Sequence, residues 1–276
     1  MQSIHVKQAA TTILIPHFQT LEPIRLCLRS LRKHMREPVI VRVLDNGSQD
    51  ASLDYLRSVK WIELVETGLV NDAWKAHYQA LNLALEQVDT PFFVVMHSDT
   101  YVHHDGWLPF LREQMKAAGC MGVGCRHQRI PVRTAGWLIR SYFRDMRQRS
   151  WKPGVPFVRS LCAMYDADVF RREGCAFVTH HGEDITYEAN ERLVRQGHRV
   201  LGLSARVLSR YLFHASAQTQ IQNHAPLIEV SSNPAPALRG QSYITPRILR
   251  RSTRFQNRFI ARPAVQAILN DNLLDL

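Results

Sequence analysis

The chain has 276 residues, 45% of them hydrophobic and 21% charged, which suits one large domain or two small ones and argues against wholesale disorder. Its formal net charge of +11 points to an anionic partner: nucleic acid, a phosphorylated small molecule or an acidic membrane surface. No apolar run approaches the roughly 20 residues of a membrane-spanning helix, and "MQSIHVKQAA" lacks the apolar core of a secretory signal.

Taken in order, "TTILIP" (Thr11 to Pro16) has the composition of a buried strand. Leu21 to Met35 follows as an amphipathic helix, with Leu26, Leu28 and Leu31 among arginines. Pro38 to Asp45 reads as the second strand, and Asp50 to Val59 as a short helix with Asp50 as N-cap. Trp61 to Glu66 is a third strand, Asn71 to Val88 a helix, and "PFFVVM" (Pro91 to Met96) a fourth strand. Alternating helices and nearly continuous apolar strands predict a mostly parallel sheet covered on both faces.

The second half is less regular. Gly106 to Ala118 reads as a helix and Cys120 to Cys125 as a strand. Val132 to Gly154 sets six basic residues against Asp145, with Trp137, Leu138, Ile139, Tyr142 and Phe143 interleaved among Arg140, Arg144 and Arg147. His180 to Val200 carries a short helix stopped by Gly197, and Val200 to His214 reads as strand-like. Between Glu229 and Asp271 there is no acid, only arginines: Arg239, Arg247, Arg250, Arg251, Arg254, Arg258 and Arg262. The five cysteines, Cys27, Cys120, Cys125, Cys162 and Cys175, are scattered without a CxxC pair. They read as reduced thiols in packing positions.

In an open α/β sheet, ligands bind beyond the carboxyl ends of the strands. Three strand ends carry polar groups there: Pro16-His17-Phe18, Asp45-Asn46-Gly47-Ser48 and His97-Ser98-Asp99. In an extended segment residues i and i+2 share a side, so His97 and Asp99 are expected to face one cleft.

"TILIPHFQTLEPIRLCLRSL", "VIVRVLDNGSQD", the Asn82 helix, "FFVVMHSDTYV" and "HGEDITYEANERLVRQGHRV" occur in that order. Together they resemble the family 2 glycosyltransferases, over roughly residues 11 to 215. The resemblance implies a GT-A fold, a Rossmann-like α/β domain spanning 1–215. Its nucleotide-sugar half is about 1–104 and its acceptor half about 105–215, with a basic C-terminal extension over 216–276. It also implies inverting transfer of a sugar from a nucleotide-diphosphate sugar to a glycan or lipid-linked acceptor, in cell-surface glycan or glycolipid synthesis. Pro16, His17, Phe18, Asp45, Asn46, Gly47, Ser48, Asn82, His97 and Ser98 would contact the donor. Asp99 would hold Mn2+ or Mg2+ together with His214. Asp184, with Glu183 second, would deprotonate the acceptor. The chemistry agrees, since a departing diphosphate needs a Lewis acid and an alcohol needs a base.

Two departures stand out: His97 replaces the first acid of the family's "DxD", and Leu81 stands where an arginine often precedes the Asn82-type residue; the "QxxRW" of processive synthases does not follow "GED" either. That last absence implies one sugar per encounter. The implied location is cytoplasmic, with peripheral contact at the inner face of an anionic membrane.

Plainer roles stand beside these. Asp99 and Asp45 suit turns, Asp184 suits a helix N-cap, His214 suits ordinary packing, and His180 and His181 suit a solvated loop. Two other functions compete: a non-catalytic nucleotide- or glycan-binding module, and a nucleic-acid-binding protein. The chain has neither zinc-finger spacing nor an RNP-like motif, so no nucleic acid is expected.

Overall fold

In the computed structural model, the described residues are 9–69, 73–127, 130–131, 135–149, 157–178, 184–214 and 257–276. A seven-stranded sheet runs in the order β3-β2-β1-β4-β7-β6-β8. Its strands are β1 (Thr11–His17), β2 (Ile40–Asp45), β3 (Glu63–Glu66), β4 (Phe92–Met96), β6 (Gly122–Cys125), β7 (Cys162–Asp166) and β8 (Val200–Leu203). A second, two-stranded sheet joins β5 (Thr100–Val102) to β9 (Leu212–His214).

The apolar runs form strands because both of their faces are buried. Ile13, Ile15, Val41, Val43, Val94 and Met96 pack on one side with Ile24, Leu28 and Leu31 of helix α1 (Leu21–His34). Leu14, Leu44, Phe93 and Val95 pack on the other with Ala80, Leu81 and Ala84 of helix α3 (Ala73–Leu85). Each buried Val, Ile, Leu, Met or Phe among them adds roughly 1.5–3 kcal/mol of hydrophobic stabilisation, and together they produce the expected layer of helices on each face. Pro16 is tolerated in this central strand because pairing with β4 ends at Leu14↔Val95. Beyond that point its missing N–H leaves no gap in the ladder.

The strand order places β2 and β3 on one side of β1 and β4 on the other. The chain direction across the sheet therefore reverses between β1 and β4, the place where such folds open a crevice.

Helix α2 (Ala51–Ser58) starts as expected, with the Asp50 carboxylate accepting from Ser52 N. Helix α4 (Trp107–Ala118) follows β5, and helix α5 (Ala135–Arg149) occupies most of the basic segment. Three features differ from the sequence expectation. Strand β7 was not anticipated, and it pairs antiparallel with both β4 and β6. It is followed directly by helix α6 (Ala167–Arg172). Its antiparallel partner β6 approaches so closely that a Cβ on Gly124 would lie 2.5 Å from Cys162 O. The strand-like stretch from Val200 to His214 is broken into β8, helix α8 (Ala205–Leu208) and β9, because the Ser204 side chain caps α8. All five cysteines are buried free thiols.

Residues 257–276 pack back onto the core. Phe259, Val265 and Ile268 join the cluster under α1, the last two from helix α9 (Pro263–Leu269). A 3-10 turn (Asn272–Asp275) then clasps α1. Arg29, only 3% exposed, donates from Nε to Asp275 Oδ1 at 2.9 Å and from NH2 to Asn272 Oδ1 at 2.7 Å. Tyr55 Oη also donates to Asp275 (2.9 Å), and Trp61 Nε1 donates to Leu274 O (2.8 Å). The rest of the arginine-rich tail, 215–256, lies outside the described residues.

Removing one partner of a buried ion pair strands the other. Arg29→Met is therefore expected to lower unfolding free energy by about 3 kcal/mol in urea denaturation. Arg29→Met combined with Asp275→Leu should recover a good part of that loss. Equal destabilisation of single and double variants would show that the clasp is not an ionic one.

Candidate active site

Strand β4 ends at Met96, beside the crevice. The chain then turns, with Thr100 N donating to His97 O at 3.0 Å, before entering β5. His97 N and Thr100 Oγ1 both donate to Leu161 O, at 3.3 and 2.9 Å, which pins the turn against the entry to β7. His97, Ser98 and Asp99 thus lie in a turn rather than in an extended segment. The expected convergence of His97 and Asp99 holds, for a reason other than strand alternation. Ser98 is buried within the turn.

Strand β5 pairs antiparallel with β9, with Thr100 opposite His214. This register brings His214 Nε2 to 3.1 Å from Asp99 Oδ1. His97 completes the group: donor atoms of His97, Asp99 and His214 all lie within 4.8 Å of one another. His214 is 3% exposed, yet neither ring nitrogen makes an aligned hydrogen bond. A buried imidazole in that condition calls for an explanation. Beside a carboxylate and a second imidazole, it fits the donor set of a divalent cation.

The second acid lies behind His97. His97 Nε2 hydrogen-bonds Ser160 Oγ at 2.8 Å, and Ser160 N donates to Asp184 Oδ1 at 3.1 Å. Asp184 Oδ1 also accepts from Thr186 Oγ1 (2.8 Å) and Thr186 N (3.3 Å). Oδ2 lies 3.4 Å from an Arg159 guanidinium nitrogen. The N-cap of helix α7 (Tyr187–Arg195) is Thr186, so Asp184 precedes the cap rather than forming it. Glu183, His180 and His181 lie outside the described residues.

His77 of α3 stands edge-on to His97, ring centroids 5.5 Å apart. Burial, then the neighbouring His97, push its pKa down to about 3, against the pull of Asp184. Burial, then His214, lower His97 to about 4. Both rings are therefore neutral at physiological pH, the state in which imidazole can ligate a metal.

His77, Arg159, Ser160 and Thr186 were not singled out from the sequence. His77 sits inside a helix pattern, and Arg159 and Ser160 precede an unanticipated strand. Thr186 lies within the quoted "GEDIT" stretch, and the other three belong to no spacing motif.

The "DNGS" turn is a closed unit. Asp45 Oδ2 accepts from Gly47 N (3.1 Å) and Ser48 N (2.9 Å), and Oδ1 accepts from Ser48 Oγ (2.6 Å). Thr67 Oγ1 donates to Asn46 Oδ1 at 2.8 Å, and Gln19 N donates to Ser48 Oγ at 2.9 Å. Gly47, at φ 84°, makes the turn possible and carries its accessible backbone. Pro16 and His17 are buried and Phe18 half-buried at the end of β1. Asn82 exchanges two hydrogen bonds with the Phe177 backbone, at 2.8 and 2.9 Å, so its amide ties α3 to the segment leading to α7.

His17 Nε2 meets Ser52 Oγ at 2.9 Å beneath the turn, while its Nδ1 has no hydrogen-bond partner. Burial lowers its pKa to about 4, opposed by Asp45 and Asp50. The unfolded chain binds this proton near pH 6.5 and the folded one only near 4. Stability from the neutral ring is thus complete above 6.5 and is lost as pH falls toward 4. His17→Gln should remove about one proton, or roughly 1.4 kcal/mol per pH unit, from the slope of unfolding free energy in that window. Urea unfolding from pH 4 to 7 measures it, and an unchanged slope would refute the assignment.

With this geometry in view, the fold and site define the class: a GT-A-type α/β domain with a carboxylate–imidazole cluster at its switch point. A family model described as "Glycosyl transferase family 2" matches residues 12–174. The chain belongs to that family.

A teichoic acid poly(glycerol phosphate) polymerase of Staphylococcus epidermidis is 28% identical over 96 residues, 32% of this chain. The chain spans 12% of that curated relative's length. Among solved structures, mannosyltransferase PcManGT from Pyrobaculum calidifontis, in complex with GDP-Man and Mn2+, has a TM-score of 0.55 at 18% identity, covering 95% of this chain and 73% of that one. TarS 1–349 of S. aureus, in complex with UDP-GlcNAc, has a TM-score of 0.51 at 13% identity, covering 95% and 71%. At such identities these two structures establish the shared fold.

Proposed function

We propose that the chain transfers a sugar from a nucleotide-diphosphate sugar to an acceptor hydroxyl, with inversion and with one sugar added per encounter. The observation that carries this reading is the buried Asp99–His214 pair, whose imidazole lacks aligned hydrogen-bond partners, at the crevice between β1 and β4. The Mn2+ and GDP-Man named with PcManGT, and the UDP-GlcNAc named with TarS, support a cation-assisted nucleotide-sugar donor.

Asp99 and His214 would hold Mn2+ or Mg2+. That cation supplies Lewis-acid stabilisation to the departing diphosphate when bound. The closed "DNGS" turn and the end of β1 give the nucleoside a rigid backbone rim. Asp184 is the general base: its Oδ1 is saturated by three donors, which leaves Oδ2 toward the acceptor proton. Single displacement at the sugar's anomeric carbon places the attacking oxygen opposite the departing diphosphate and so inverts that centre. Arg159 beside Oδ2 steadies the carboxylate before it takes the proton.

The acceptor is a glycan or lipid-linked glycan of the cell surface, a reading favoured by the teichoic acid relative. Helix α5 exposes Ile139 (59%) and Phe143 (54%) next to exposed Arg140, the pattern of a helix lying on an anionic membrane. That face would seat the enzyme peripherally on the membrane.

Asp184→Asn is expected to lower kcat by on the order of 10²–10⁴ with the melting temperature unchanged. Asp99→Asn should abolish the rise in melting temperature that Mn2+ plus UDP or GDP gives the wild type. Full activity in both variants would overturn the reading. Sedimentation with phosphatidylglycerol vesicles should capture the wild type and release Ile139→Glu/Phe143→Glu; capture of both would remove α5 from the membrane contact.

A further inference from the structure

We infer that His97 is a third protein ligand of the cation site, so that two imidazoles and one carboxylate hold the ion and select Mn2+ over Mg2+. This inference rests on the Asp99–His214 site of the preceding reading and deepens it.

Three observations carry it. The first is proximity. Two bonds of about 2.1 Å meeting at a right angle put their donor atoms roughly 3 Å apart. His214 and Asp99 already stand at 3.1 Å, and the His97 donor lies within 4.8 Å of both.

The second is orientation. Ser160 Oγ holds His97 Nε2 at 2.8 Å, and Ser160 is itself anchored through its N–H to Asp184. A ligating histidine commonly has its second nitrogen fixed in this way. Here that fixes the His97 ring beside Asp99 and His214.

The third is the donor set. Mg2+ prefers all-oxygen ligation and keeps several waters. Two imidazole nitrogens favour a first-row transition ion over it. Three protein donors also allow the ion to bind before any nucleotide arrives, whereas two would rely more heavily on the donor's phosphates.

The same contacts give Ser160 a place: it links the ligand His97 to the base Asp184, so cation occupancy and base position share one hydrogen-bonded path.

The test is titration of the full chain with Mn2+ alone, following the electron paramagnetic resonance of the free ion, with Mg2+ as competitor. The wild type is expected to bind one Mn2+ without nucleotide. His97→Ala should weaken this by on the order of tenfold or more. His97→Asp should retain a site but narrow the preference for Mn2+ over Mg2+ by a similar factor. Thermal melting verifies folding, and if His97→Ala does not fold, the His97→Asp competition decides alone. If His97→Ala binds Mn2+ like the wild type while Asp99→Asn and His214→Ala lose it, the third-ligand inference is overturned and the two-residue site stands. If the wild type takes up no Mn2+ even with UDP present, the preceding reading falls as well.

Discussion

Everything at the site depends on the register of one short antiparallel pair. Tyr101 opposes Phe213, and both point into the core, stacked at 5.7 Å and backed by Phe259 at 5.5 and 4.0 Å. Side chains alternate along strands, so burying that aromatic pair turns the neighbouring Thr100–His214 pair the other way, toward Asp99. A slip of one residue would put His214 into the core and an aromatic ring against the carboxylate. His214 N bonding to Ile130 O at 2.9 Å locks the register from a further side. Phe259 belongs to the segment that the Arg29–Asp275 clasp ties to α1, so the backing of the site is tied to stability on the far side of that helix.

The electrostatic plan follows from burial. The chain carries +11 overall, yet Asp99 and Asp184 are gathered around the neutral rings of His77 and His97. A net positive charge attracts anions at long range, while the negative charge of Asp99 and Asp184 is held inside. His77 and His97 stay uncharged because burial outweighs nearby acids. They can therefore crowd together without the repulsion two imidazolium ions would suffer. The path Asp184–Ser160–His97 links the two buried polar clusters by hydrogen bonds.

Polar groups within the sheet are used just as fully. Arg42 in β2 is buried, yet it pairs with Glu63 of β3 at 2.7 Å, its direct register partner. It also donates to Ala84 O and Gln87 O at the end of α3, where a positive charge suits the helix dipole. Asp45 shows the same economy: its carboxylate builds the turn that Gly47 permits.

The first half of the fold is legible in the order of the residues. Strands buried on both faces read as apolar runs, and the helices between them show one apolar face, so β1 to β4 were legible with boundaries off by a few residues. The sequence also marked the strand-end acids and named His214, through family resemblance. Tertiary structure decided the rest. Strands β5 and β7 are too short, or too much like their surroundings, to announce themselves, and β9 merges with β8 into one strand-like stretch, since their stability comes from cross-strand partners distant in sequence. His77, Arg159 and Ser160 acquire a role only when a helix face and a strand entry meet beside His97. That His97 and Asp99 converge was foreseen on strand alternation but achieved by a turn. Local pattern reports what each segment buries; which side chains finally meet is set by long-range pairing, and no local pattern encodes that.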